Sequence, residues 1–122
     1  MQKLLIVEDE PILLDMLSTV VSTAGYEVVG ATSFDQAKRL IETAEPDLII
    51  VDVRLGAYNG LHLVVRHHLT HPGSPIIITT GYPDPSVIAE AGKYGAEFLE
   101  KPIRSADLLA LVRRLLERPR PQ

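Results

Sequence analysis

The chain has 122 residues, enough for one domain with its own core and too few for two. It contains no cysteine, which excludes disulfides, thiolate zinc sites and cysteine nucleophiles. Twelve Lys and Arg against sixteen Asp and Glu leave a net charge of −4, so direct nucleic-acid binding is not expected. No apolar run approaches the ~20 residues of a bilayer span. Acidic residues cut the N-terminal apolar stretch short, so a signal peptide is not expected either, and the expected location is cytoplasmic.

The first apolar run is Leu4-Leu5-Ile6-Val7. Leu13, Met16, Leu17, Val20, Val21 and Ala24 follow at helical spacing, with Pro11 near the start and Gly25 at the stop. A short run, Val28-Val29, precedes a second stripe of Phe34, Ala37, Leu40, Ile41 and Ala44. Ser33 suits its N-cap, and Pro46 lies beyond its end. Next comes Leu48-Ile49-Ile50-Val51, then Leu61, Val64, Val65, His68 and Leu69 as a third stripe. Ile76-Ile77-Ile78 leads into a less amphipathic segment from Pro85 to about Tyr94, closed near Gly95. Phe98-Leu99 is the last run. Ser105 opens a final stripe of Leu108, Leu111, Val112, Leu115 and Leu116.

Most of the apolar runs are β-branched and do not alternate, the pattern of strands buried on both faces of a parallel sheet. Five strand-helix units in succession predict an α/β domain with helices on both faces of the sheet. The predicted domain covers residues 1–118. Residues 119–122 read as a tail or the start of a linker.

Ligands of open α/β sheets bind beyond the carboxyl ends of the strands, so the residues after each run carry the chemistry. Glu8-Asp9-Glu10 follows the first run, Asp52 the third, Thr79-Thr80-Gly81 the fourth, and Glu100-Lys101-Pro102 the fifth. If the first and third strands are neighbours, Glu8, Asp9 and Asp52 converge. Clustered carboxylates raise one another's pKa unless a cation intervenes. A hard divalent ion such as Mg²⁺ suits oxygen ligands that can share a phosphate oxygen. A lysine opposite can hold a phosphoryl oxygen as a point charge.

These residues resemble the receiver domains of two-component response regulators. The resemblance runs from Lys3 to about Glu117. It rests on Glu8-Asp9, on Asp52 after Leu48-Ile49-Ile50-Val51, on Gly60, on Thr80-Gly81 after Pro75-Ile76-Ile77-Ile78, and on Lys101-Pro102. It implies a flavodoxin-like (CheY-like) doubly wound five-stranded parallel sheet of order 2-1-3-4-5 with five helices. Asp52 would be the phosphoacceptor. Glu8 or Asp9, Asp52 and the backbone carbonyl of Arg54 would hold Mg²⁺, with Mn²⁺ as a substitute. Lys101 would pair with the phosphoryl group, Thr80 would swing towards it, and Phe98 would change rotamer with Thr80. Lys101-Pro102 would be cis, Gly60 structural, and Gly81 would leave room for the phosphoryl group. Arg54 and Tyr82 stand where the family tunes hydrolysis of the acyl phosphate.

The implied partners are a sensor histidine kinase or histidine phosphotransfer protein, and a downstream effector protein or output domain. The implied switch surface is the fourth helix, fifth strand and fifth helix, where a homodimer is also conceivable. Such a protein phosphorylates itself, with possible autodephosphorylation, and is not a turnover enzyme. A phosphorelay intermediate, or a degenerate receiver serving only as an interaction module, is the alternative. A flavin module would need a phosphate loop where Glu8-Asp9-Glu10 stands. An aspartate-nucleophile phosphatase would need a second acid where Arg54 stands.

Two departures stand out. The loop after Asp52 reads Val53-Arg54-Leu55-Gly56-Ala57-Tyr58-Asn59-Gly60, with Gly56 in place of a usual proline, which predicts a looser loop. Ala96-Glu97 replaces an acidic pair that some transcription-factor receivers carry before the aromatic. His67 and His71 have metal-ligand spacing on one helix, but with His62 and His68 they read as a solvated helix end. Glu10 reads as a first-turn acid, and Arg113, Arg114 and Arg118 as solvating the last helix.

Overall fold

The structure, a computed structural model, describes residues 1–117; the predicted tail at 119–122 lies outside the described residues, as does Arg118. Five parallel strands form one sheet. They are β1 (Lys3–Val7), β2 (Glu27–Ala31), β3 (Leu48–Asp52), β6 (Ile76–Thr80) and β7 (Glu97–Glu100). Between β3 and β6 lies a small antiparallel ribbon of β4 (Arg54–Leu55) and β5 (Tyr58–Asn59). The helices are α1 (Pro11–Thr23), α2 (Phe34–Thr43), α3 (Leu61–Thr70), α4 (Pro85–Gly92) and α5 (Ser105–Glu117). The sheet order is β2-β1-β3-β6-β7, the expected 2-1-3-4-5 among the principal strands.

Period-two alternation splits the apolar strands between two layers. Leu5, Val7, Ile49, Val51, Ile76 and Ile78 pack with Ala37 and Ile41 of α2, Leu63 and Val64 of α3, and Ala91 of α4. Leu4, Ile6, Leu48, Ile50 and Ile77 pack with Leu17 and Val21 of α1 and with Leu108, Val112, Leu115 and Leu116 of α5. All five residues of β3 are buried, which is why that run shows no polar alternation. Among the described residues no helix is long and apolar enough to cross a membrane.

The caps follow the sequence in part. Pro11 opens α1, and Gly25 takes a φ of +102° just past its end. Ser33 Oγ accepts from the Gln36 N–H at the start of α2, as expected of that N-cap. Asp84 caps α4 by accepting from the Ser86 N–H, and the Ser86 hydroxyl's hydrogen bond, aided by that N–H, holds its carboxyl below the usual value. Glu10 is the N-cap residue of α1 rather than a first-turn acid, and its side chain makes no capping bond.

Further sequence expectations change. Leu69 of the third stripe is 73% exposed in the last turn of α3. Met16 is 59% exposed, because α1 is apolar on nearly every side and the buried pair is Leu17 and Val21. His67 is fully buried, not solvated: its Nε2 lies 2.8 Å from Ser74 Oγ, and Ser74 donates to the Asp47 carbonyl at 2.7 Å. Within the loop after Asp52, β4 and β5 pair across Gly56 and Ala57. Gly56 supplies the left-handed φ of +59° at the first of the two central residues.

Candidate functional site

The pairing register brings the strand ends together. Val7 of β1 lies beside Val51 of β3, which sets Glu8 next to Asp52 at the point where strand order reverses. Asp52 is level with Thr79 of β6, and Thr80 is level with Glu100 of β7. The Lys101 N–H donates to the Thr80 carbonyl at 2.8 Å, carrying the chain one step past β7 and the lysine onto the same rim.

Glu8, Asp9, Asp52 and Lys101 meet there. Lys101 Nζ is 2.8 Å from Glu8 Oε1 and 2.8 Å from Asp52 Oδ2. Glu8 is 1% exposed and Asp52 5%, so the ammonium neutralises carboxylates that water barely reaches. Backbone donors hold the remaining oxygens. The Glu10 N–H reaches Glu8 Oε2 at 3.1 Å, and the Arg54 N–H reaches Asp52 Oδ1 at 3.1 Å. Asp9 is exposed and accepts from the Gly56 N–H at 3.1 Å, which anchors the β4–β5 ribbon to the first strand's loop.

Burial pushes the Glu8 carboxyl above its ordinary pKa, and the neighbouring Asp52 charge adds to the rise against the pull of Lys101. Burial acts on Lys101 in the opposite sense, but its bonds to Asp52 and Glu8 outweigh it and hold the ammonium above its usual value.

One oxygen from each of Glu8, Asp9 and Asp52 lies within 4.8 Å of the other two. An all-oxygen donor set at the mouth of a sheet suits a hard divalent cation, so the residues present fit Mg²⁺. Among the described residues this is the only such group of three. His67 and His71 do not join one: their rings stack 5.1 Å apart, and His71 Nδ1 is 2.8 Å from Thr70 Oγ1.

Other residues singled out in the sequence surround this centre. A Cβ at Gly60 would run into the Asp52 carbonyl oxygen, so the close approach of backbone behind the acid requires glycine. Gly81 faces open space. The Lys101-Pro102 bond is cis. Phe98 lies level with Ile78 and packs, half-buried, against the α2–α4 layer. Thr80 is turned to its own loop: its Oγ1 donates to the Tyr82 carbonyl at 3.0 Å and accepts from the Tyr82 N–H at 3.1 Å. The Arg54 guanidinium lies 5.1 Å over the Tyr82 ring, joining the loops that follow β3 and β6.

Residues 4–113 match the family described as the response regulator receiver domain. The chain belongs to that family. This receiver of two-component signalling is 32% identical over 121 residues to the transcriptional regulatory protein GlrR of Escherichia coli, covering 97% of this chain and 27% of that protein. It is 31% identical to the transcriptional regulatory protein FixJ of Bradyrhizobium diazoefficiens, covering 95% of this chain and 57% of the relative. The chain thus spans about a quarter of GlrR and little more than half of FixJ. A CheY-like receiver from Methanospirillum hungatei superposes with a TM-score of 0.92 at 28% identity, over 96% of this receiver and 94% of that chain. The beryllofluoride-activated DrrB receiver superposes at 0.84 with 26% identity, over 97% and 99%.

The ribbon that tethers Asp9 was missed in the sequence. Its signal was present, since a glycine at the first of two residues between Leu55 and Tyr58 is hairpin chemistry.

Proposed function

We propose that this receiver accepts a phosphoryl group on Asp52. The observation that carries the reading is Lys101 Nζ bridging Glu8 and Asp52 at the strand-order reversal, with Asp9 alongside. An Asp52 oxygen attacks the phosphorus of a phosphohistidine presented by a sensor kinase or a histidine phosphotransfer protein. The P–N bond breaks, an acyl phosphate forms, and the imidazole takes a proton from water. Glu8 or Asp9, Asp52 and the Arg54 carbonyl would hold Mg²⁺ or Mn²⁺, which would neutralise charge on the phosphoryl oxygens. Lys101 moves from the carboxylates to the phosphoryl group as its counter-charge.

Phosphorylation adds about −1.5 to −2 charges at the rim. Thr80 turns from its loop to donate to a phosphoryl oxygen, and Gly81 leaves the space for it. Phe98 follows Thr80, which alters the surface of α4, β7 and α5. That surface then controls an effector, attached or separate, or a second copy of the receiver. The names of GlrR and FixJ as transcriptional regulatory proteins support an output of that kind. The receiver would phosphorylate itself once per cycle and lose the group by hydrolysis, which Arg54 and Tyr82 slow by shielding it. A phospho-lifetime unchanged in an Arg54→Ala, Tyr82→Ala double variant counts against that shielding.

Intact mass after incubation with acetyl phosphate and Mg²⁺ tests the reading. One added phosphoryl group, absent in Asp52→Asn, is the expected result. No uptake by the native chain would leave an interaction module.

A further inference from the structure

We infer that Arg54 and Tyr82 form a latch that holds the switch threonine in its resting position. The inference rests on the reading of Asp52 as phosphoacceptor and concerns the state before phosphorylation.

A hydroxyl has one proton to donate. Thr80 spends it on the Tyr82 carbonyl while its oxygen accepts from the Tyr82 N–H. It cannot donate to a group on Asp52 until the bond to Tyr82 breaks. The strength of the resting state therefore depends on how firmly the backbone of Tyr82 is held. Tyr82 is 74% exposed and its ring packs into neither apolar layer, so core burial does not anchor it. Its anchor is the guanidinium of Arg54, 5.1 Å from the ring centroid. Arg54 is in turn fixed from behind, because its N–H donates to Asp52 and its strand pairs with Asn59. Asp9 holds the far end of the same ribbon through the Gly56 N–H.

The chain Asp52–Arg54–Tyr82–Thr80 thus ties the acid to the hydroxyl that must move. Arg54 is a positioning residue in this role, acting on Thr80 through Tyr82. A latch that exists only at rest lowers the population of the binding-competent state, and with it the apparent affinity for a phosphoryl group. Loosening it should tighten that affinity.

The test is a double-mutant cycle on the full chain. Beryllofluoride is titrated with Mg²⁺ present, and the amide resonances of Gly81 and Tyr82 report binding. Arg54→Gln and Tyr82→Leu should each tighten the apparent Kd by about two- to fivefold, the size of an exposed cation–π contact. The double variant should be no tighter than either single one. Tyr82→Phe, which keeps the ring and the backbone bonds, should match the native chain. Single effects that add in full, or a Tyr82→Leu affinity that is unchanged or weaker, would overturn the latch alone. A native chain that binds no beryllofluoride at Asp52 would overturn the phosphoacceptor reading and the latch with it.

Discussion

Lys101 Nζ sits midway between Glu8 Oε1 and Asp52 Oδ2, 2.8 Å from each, although 93 and 49 residues of chain separate it from them. Two adjacent carboxylates at the buried ends of β1 and β3 would otherwise face each other with no counter-charge. The lysine makes their proximity tolerable while leaving the site ready to receive a further anion.

Removing that cation should therefore be costly in protein stripped of divalent ions. Lys101→Met leaves Glu8 and Asp52 buried without a partner, and breaking such a pair costs on the order of 3 kcal/mol. Urea unfolding in EDTA should show a loss of that size, with part of it recovered on adding Mg²⁺. An unchanged midpoint would mean that the carboxylates are neutral or screened without Lys101.

Glu8 sets a pH dependence of definite sign. Its folded pKa is raised above 4.5 by burial, with the Asp52 charge adding to the rise. The folded state thus holds the Glu8 proton more tightly than the unfolded chain does. The resulting contribution is fully present below 4.5 and is lost as pH rises through the folded value. Glu8→Gln keeps the shape and removes the titration. In EDTA its stability relative to the native chain should climb from pH 4 towards neutrality and then level off. A difference that falls over that range would reverse the assignment.

Gly60 and Gly81 should respond oppositely to alanine. The Cβ at Gly60 meets the Asp52 carbonyl oxygen, a backbone atom held by the sheet. Gly60→Ala should lose about 1–3 kcal/mol through overpacking. Gly81→Ala projects into open space and should stay within about 0.5 kcal/mol of the native chain. Equal effects at the two positions, measured by thermal unfolding, would contradict the packing behind Asp52.

Glu45 joins α2 to β3 with a φ of +48°. Side chains other than Gly, Asn and Asp are disfavoured there. Glu45→Asn should raise stability by up to about 1 kcal/mol, visible as a higher urea midpoint. A lower midpoint would show that the glutamate earns its place through a contact of its own.

The main architecture was legible because the buried strands are short β-branched runs separated by capped amphipathic helices, and a parallel sheet leaves few orders for them. The converging rim was legible because Glu8, Asp9, Asp52 and Lys101 each follow an apolar run at a strand's carboxyl end. Periodicity could not choose the buried side of α1, where Ile12 and Met16 are as apolar as Leu17 and Val21 yet face solvent. It also could not see that His67 is buried, because its partner Ser74 comes from a turn and not from the helix. The ribbon after Asp52 was not read from the sequence because Gly56 was weighed only against a proline and not as a hairpin residue. The resting orientation of Thr80 depends on hydrogen bonds within its own loop, which no spacing rule reports.

The central claim is that this rim takes a phosphoryl group on one carboxylate with a divalent cation's help. Borohydride trapping of the acyl phosphate after acetyl phosphate treatment, followed by tandem mass spectrometry, measures this directly. Conversion at Asp52 alone, abolished by EDTA and sharply reduced in Lys101→Ala, is the expected result. Conversion at another acid, or conversion at Asp52 that persists in EDTA, would contradict the account.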